Sequence, residues 1–230
     1  MIFSGIVKTS LIDYPGKIAA VLFTPGCNYN CFYCHNRHLI EDFPEIIPTD
    51  EIDHFLQKRV GLLDGIVISG GEPTLHEGLI PYLKKLKSLG YLTKVDTNGS
   101  RPEVIQALVE KRVVDYFAID YKAPKARYYE IARGESNPED VLATIDILLK
   151  NRCSFEVRTT VVPQLSLTDL ILMSEEMPQV PRYVLNAYKA PSFFLSSDQS
   201  LIDEPAYSEK TISEFAETLK LYQPHVVLMF

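Results

Sequence analysis

Three of the four cysteines in this 230-residue chain fall within eight residues, as Cys27-x3-Cys31-x2-Cys34, and the fourth, Cys153, stands alone. In a reducing compartment such a crowd is a metal site more often than a disulfide framework. Two metals suit it. Zinc would take the three thiolates with His35 or His38 as a fourth ligand. An iron–sulfur cubane would take the same thiolates and needs four to be saturated by protein. Cys153 is expected at the N-terminal end of its strand, opposite the other polar clusters. A cubane here would therefore keep one iron without a protein ligand, where a small molecule could chelate it and receive an electron.

Further polar side chains gather in short segments: Gly70-Gly71-Glu72-Pro73, Asp96-Thr97-Asn98-Gly99, Asp120-Tyr121-Lys122, and Asn186 with Tyr188. Asp96 and Asp120 offer the hard oxygens that small cations prefer, while Asp96–Gly99 would also serve as turn chemistry capping a strand. In 155–161, Glu156, Arg158 and Thr160 alternate with Phe155, Val157 and Val161, which puts the polar trio on one face. If that face is interior, Glu156 and Arg158 need partners or ligands there; on an outer face they would pair with each other.

Each of these segments belongs to, or directly follows, a run that reads as a strand: 18–24, 65–69, 92–97, 116–120, 155–162 and 183–187, rich in Val, Ile, Phe and Tyr. Amphipathic helices come between them, with apolar residues three or four apart. One carries Ile52, Phe55 and Leu56, and the next Leu79, Tyr82, Leu83 and Leu86. A third opens at Pro102, a residue suited to a first helical turn. A fourth is expected to open at Ser136, with Glu139 completing a capping box. Weaker helices follow at 170–177 and 208–222, and 225–229 reads as a last strand.

Repeated strand–helix units imply a parallel sheet with right-handed crossovers. Six units are too few for a closed eight-stranded barrel of about 250 residues, and no glycine-rich dinucleotide fingerprint follows the first strand. The expected fold is therefore α/β, a partial (β/α)6 TIM-like barrel of parallel strands, formed as a single domain over residues 1–230. Its active rim is the C-terminal end of the strands, where the polar clusters fall. No apolar run approaches the roughly 20 residues of a membrane-spanning helix, and the first ten residues lack the pattern of a signal peptide, so the expected location is the cytoplasm. A net charge of −7 argues against a broad nucleic-acid surface.

The cysteine spacing followed by Gly70–Pro73 resembles the radical S-adenosylmethionine (radical SAM) superfamily. The segment from Ser10 to Lys17, the Cys34-His35-Asn36 extension, Asp96–Gly99 and Asp120-x-Lys122 narrow the resemblance to the glycyl-radical-enzyme activating enzymes. The N-terminal stretch is most similar to the activating proteins of anaerobic ribonucleoside-triphosphate reductases, and pyruvate formate-lyase activating enzymes are related. The resemblance runs to about Pro163.

This resemblance implies that Cys27, Cys31 and Cys34 bind a 4Fe–4S cluster whose fourth iron takes SAM. Reductive cleavage would release a 5′-deoxyadenosyl radical, which abstracts a hydrogen from a glycine of a partner glycyl radical enzyme; flavodoxin or ferredoxin would supply the electron. It implies SAM contacts at Tyr33 (adenine), Gly70 and Gly71 (close backbone approach), Glu72 (ammonium), Asp96, Thr97, Lys122 (carboxylate) and, by a looser alignment, Tyr188. A monovalent or divalent cation would sit at Asp96 and Asp120, and Asp13 and Arg158 would meet the partner's glycine loop. Two other functions stay open: a small-molecule radical SAM enzyme of the 7-carboxy-7-deazaguanine synthase kind, and a non-catalytic zinc or electron-transfer module.

Overall fold

The computed structural model describes residues 1–40 and 44–230, and the chain divides into two compact units. One comprises Met1–Cys27, Asn36–Thr97 and Glu103–Ala118; the other comprises Asn28–His35, Asn98–Pro102 and Ile119–Phe230.

The first unit is built on four strands in chain order: β1 (Gly5–Ser10), β2 (Ala19–Thr24), β3 (Gly65–Gly70) and β4 (Leu92–Thr97). β2, β3 and β4 pair in parallel, with Ala19 opposite Gly65 and Gly65 opposite Leu92. The unbroken apolar runs of β2 and β3 are what parallel strands covered on both faces require, and Ala19–Leu22 and Gly65–Ile68 are buried. Helices α1 (Thr49–Arg59) and α2 (Leu79–Ser88) bury Ile52 and Leu56, and Leu79, Tyr82, Leu83 and Leu86. In α3 (Pro102–Lys111), whose residues from Glu103 onward belong here, Ile105 and Leu108 face inward. Tyr14, Ala19, Val21 and Val67 form a buried cluster with Phe23, Leu92 and Tyr116 against it.

Sequence pattern does not reveal β1. It pairs antiparallel with β2, with a register shift between Val7 and Ser10. Val7, Lys8 and Thr9 are all exposed, so no alternation marks a buried face.

β5 (Tyr116–Asp120) is divided between the units after Ala118. The second unit then carries β6 (Phe155–Val161), β7 (Tyr183–Ala187) and β8 (Val226–Met229), parallel and in chain order. Its helices are α4 (Tyr128–Ala132), α5 (Pro138–Lys150), α6 (Leu167–Glu176), α7 (Gln199–Ile202) and α8 (Glu209–Leu219). Ser166 and Asp169 form a reciprocal capping box at α6.

The capping box expected at Ser136 does not form. Pro138 takes the first turn of α5, so the cap is the residue before it, Asn137, whose side-chain oxygen accepts from the Glu139 N–H at 3.2 Å. The Ser136 hydroxyl is left buried without a hydrogen-bond partner among the described residues. The strands read from composition lie within one residue of those observed, in an α/β arrangement of parallel strands joined by helices. Among the described residues no helix is long and apolar enough to cross a membrane.

Candidate functional site

In the first unit the chain leaves β2 through Pro25-Gly26-Cys27 and β3 through Gly71-Glu72, and the two exits are bonded together. The Gly71 N–H donates to the Thr24 carbonyl and the Glu72 N–H to the Gly26 carbonyl, both at 2.8 Å. Gly70 has φ +120°, and a Cβ there would lie 2.2 Å from the Thr24 nitrogen; one on Gly71 would lie 1.8 Å from the Gly26 carbonyl oxygen. Sequence reasoning assigned these glycines to the close approach of a ligand. The structure supplies a prior reason: the protein's own backbone occupies the space a side chain would need. His76 Nε2 lies 2.9 Å from the Pro25 carbonyl oxygen, a further hold on the segment entering Cys27.

Glu72 is fully buried. Its Oε1 accepts from the Thr74 N–H at 3.0 Å, the Thr74 hydroxyl at 2.6 Å and the Thr97 hydroxyl at 2.6 Å. A buried carboxylate needs such donors, and these tie the end of β3 to the end of β4. On β4, Lys94 and Asp96 stand two residues apart and so on one face; Lys94 Nζ donates to Asp96 Oδ1 at 2.5 Å. Asp13 accepts from the Ser10 hydroxyl at 2.5 Å, and that oxygen accepts in turn from the N–H groups of Ile12 and Asp13. The tight turn leaves Leu11 and Ile12 exposed.

The second unit holds the rest of the cysteine loop. The Cys34 N–H donates to the Cys31 carbonyl at 3.2 Å, with Cys31 buried and Cys34 half-buried. The loop is gripped by residues 132–135: Asn30 N–H donates to the Ala132 carbonyl at 3.1 Å and Glu135 N–H to the Asn28 carbonyl at 2.9 Å. Gly134, at φ +64°, passes so near that a Cβ would sit 2.4 Å from the Asn28 oxygen. The Arg133 guanidinium lies 5.6 Å from the Phe32 ring centroid and donates to Asp198 at 2.8 Å. Asn28 exchanges side-chain hydrogen bonds with Asn98 and Ser100, each 2.9 Å.

Beside this loop, Lys122 Nζ donates to Asp120 Oδ2 at 3.1 Å and Arg158 Nε to Asp120 Oδ1 at 3.0 Å. Burial alone would raise the Asp120 carboxyl, but Lys122 and Arg158 outweigh it and hold it at about 2. Burial disfavours the Lys122 ammonium, yet Asp120, then Tyr33 and Cys31, raise its pKa well above the usual lysine range. Burial pushes the Cys31 thiol up to about 11, against the opposing pull of Lys122. The Tyr33 phenol is likewise raised by burial, with Lys122 opposing, and its ring stands edge-on to Phe32. On β6 the polar residues find different partners: Arg158 pairs with Asp120, and Glu156 accepts from Arg182 at 3.0 Å. Tyr188, directly after β7, is 5% exposed, and its hydroxyl is buried without a hydrogen-bond partner among the described residues.

The two carboxylates expected to share a small cation thus carry the chain's own counter-ions, Lys94 on Asp96 and Lys122 with Arg158 on Asp120. Among the described residues no three His, Cys, Asp or Glu side chains converge on a single ion. A cubane does not ask for that, because each thiolate binds a different iron. Cys153, half-buried just before β6, is a thiol like the other three.

Sequence reasoning passed over Lys94, Asn28 and the Arg133–Glu135 segment. Only Lys94 carried a signal, a charge inside an otherwise buried strand, two residues from Asp96.

This chain belongs to the radical SAM superfamily, whose family profile matches residues 21–176. Members use a 4Fe–4S cluster and SAM, and the protein is an enzyme of the oxidoreductase type. Within the superfamily it is 34% identical over 231 residues to a protein of Methanocaldococcus jannaschii provisionally named a glycyl-radical enzyme activating enzyme, covering 98% of this chain and 94% of that one. It is also 37% identical to the 7-carboxy-7-deazaguanine synthase of Halobacterium salinarum, over 90 residues that cover 37% of this chain and 35% of that one. The structure of Streptococcus suis SuiB bound to S-adenosylmethionine has the same fold, with a TM-score of 0.69 at 13% identity over 91% of this chain and 52% of that one. The residues present fit the family's cofactors: three thiols crowded in one loop, a fixed ammonium on Lys122 near Cys31, and an unclaimed buried hydroxyl on Tyr188.

Proposed function

We propose that this protein is a radical SAM activating enzyme whose substrate is a glycine of a partner glycyl radical enzyme. The reach of the likeness carries the reading. It extends over 98% of the chain for the activating-enzyme relative, against 37% for the deazaguanine synthase.

In this reading Cys27, Cys31 and Cys34 hold the cluster. Tyr33, Glu72, Asp96, Thr97, Lys122 and Tyr188 serve SAM, with Gly70 and Gly71 shaping the backbone beneath it. Asp13 and Arg158 meet the incoming glycine loop, and flavodoxin or ferredoxin is the reductant. When bound and reduced, a cluster held by Cys27, Cys31 and Cys34 would supply the electron for cleaving SAM, and the 5′-deoxyadenosyl radical so released would take the glycine hydrogen.

The chain's own work is largely the holding of charge. Cys31 must lose its proton to ligate iron. Its burial resists that step, and the Lys122 ammonium, kept charged by Asp120, favours the thiolate. Glu72 is braced by Thr74 and Thr97, so its carboxylate is pre-oriented rather than mobile. The Tyr188 hydroxyl gains the hydrogen bond it lacks when a ligand supplies an acceptor.

The test is electron paramagnetic resonance of anaerobically reconstituted protein with reductant, SAM and a candidate partner, where a glycyl radical on the partner is expected. SAM cleavage with turnover of a small metabolite, and no glycyl radical in any candidate partner, would turn the reading to the small-molecule class. Replacing Cys31 by Ala should abolish cluster assembly while the far-ultraviolet dichroism stays native; retained assembly would refute the ligand assignment.

A further inference from the structure

The segment that grips the cysteine loop of the second unit carries an anomaly of its own. Arg133 has φ +53° and ψ −173°, a backbone region that suits glycine and is costly for any residue with a Cβ. Gly134 follows at φ +64°, with the Asn28 carbonyl against it. Glycine at 133 would adopt the observed conformation without strain, so what the arginine contributes lies in its side chain. Its guanidinium stands over the Phe32 ring, 5.6 Å from the centroid, and its Nη1 donates to Asp198 Oδ1 at 2.8 Å.

Asp198 is as unusual. Its side chain is 3% exposed, and Oδ2 is buried without a hydrogen-bond partner among the described residues. A buried carboxylate is costly unless paired, and Arg133 is the cation that pairs it. A strained arginine and a half-satisfied carboxylate thus meet at one guanidinium. The ring beneath that guanidinium, Phe32, is buried and directly follows Cys31. We propose that Arg133 is a positioning residue for Cys31 and Cys34: anchored on Asp198, it pins Phe32 and so holds the two thiols in place before any iron arrives. This rests on the reading that these cysteines ligate the cluster. Loss of the pin should loosen the loop and not the fold, since the Asn30–Ala132 and Glu135–Asn28 backbone hydrogen bonds remain.

The experiment begins with cluster-free protein, in which all four cysteines are thiols. Alkylation of each by iodoacetamide is timed by peptide mass spectrometry, with Cys153, half-buried just before β6, as the internal reference. Arg133→Gly with Asp198→Asn removes the pin, relieves the backbone and strands no buried carboxylate. In this double variant Cys31 should be alkylated about tenfold faster, and Cys153 within about twofold of its wild-type rate. Reconstituted anaerobically, the variant should release iron to a chelator about tenfold faster than wild type. Arg133→Lys keeps a cation within reach of Asp198 and Phe32 and should recover most of the wild-type behaviour.

Wild-type rates of Cys31 alkylation and iron release in the double variant would overturn the proposal. So would equal acceleration at Cys31 and Cys153, which would make the ion pair a general brace of the fold. If the double variant fails to fold, Asp198→Asn alone replaces it, keeping the guanidinium but removing its charged anchor. Cys31 alkylation should then quicken about threefold, and a wild-type rate overturns the proposal. Wild-type protein that assembles no cluster on Cys27, Cys31 and Cys34 would instead sink the ligand reading, which the alkylation of cluster-free protein does not depend on.

Discussion

Replacing Gly71 by Ala places a methyl group 1.8 Å from the Gly26 carbonyl oxygen and 2.6 Å from its carbon. Cβ contacts under 3.0 Å are essentially never seen, so the two segments must part by about 1.2 Å. Both opposing atoms are backbone, and no side chain can swing aside. The parting stretches the Gly71–Thr24 and Glu72–Gly26 hydrogen bonds, now 2.8 Å each, beyond bonding range. Two such bonds contribute about 0.5–1.5 kcal/mol each, and overpacking costs about 1–3 kcal/mol. The expected destabilisation is therefore about 2–6 kcal/mol, a large share of the 5–15 kcal/mol typical of a folded domain. Urea unfolding of the iron-free protein, read by circular dichroism, should show the midpoint falling accordingly. Iron content after reconstitution should fall with it, because Cys27 directly follows the displaced Gly26. A variant with the wild-type midpoint and full iron, impaired only in SAM binding, would refute the argument: the glycine would then serve the ligand and not the backbone.

Tyr188→Phe removes a buried hydroxyl that has no partner, so stability should hold or rise by up to about 1 kcal/mol. SAM affinity of the cluster-loaded protein should drop about three- to tenfold, measured by dialysis beside a thermal melt; a marked loss of stability would show that the hydroxyl is bonded within the fold. Asp120 predicts an acid limb. Its carboxyl is held at about 2, below its unfolded value near 3.9, so its contribution is complete above the unfolded value and is lost as pH falls through about 2. Allowing for solvent screening of a partly exposed group, the contribution is about 1–2 kcal/mol. Asp120→Asn should lower stability near neutrality by that amount and flatten the decline between about pH 4 and pH 2; an unchanged acid limb in urea titrations would count against the pairing.

Much of the fold was legible because its signals are local. β2 and β3 are short apolar runs, and Leu79, Tyr82, Leu83 and Leu86 repeat at helical spacing on α2. Pro102 marks the start of α3. β1 escaped because an exposed edge leaves no buried face to read, and the α5 cap was misplaced because Pro138 moved the helix start past Ser136.

For the site, residue types and spacing alone picked out the crowded thiols Cys27, Cys31 and Cys34 as candidate metal ligands, the Gly-Gly-Glu segment after β3, and the polar clusters at strand ends. These follow from chain chemistry and from strands that leave at one end of a parallel sheet. Pairing was decided only in three dimensions. Arg158 could have met Glu156 two residues away, but Asp120, 38 residues earlier in the chain, takes it. Gly71, expected beside a ligand, also lies against the Gly26 backbone, where a Cβ would be 1.8 Å from the carbonyl oxygen. Asp96 also meets a charge from its own strand, the Lys94 ammonium two residues earlier. The physical reason is the same in each case: burial makes an unpaired charge or an overlapping atom costly, and which neighbour relieves that cost depends on distances that residue spacing does not encode.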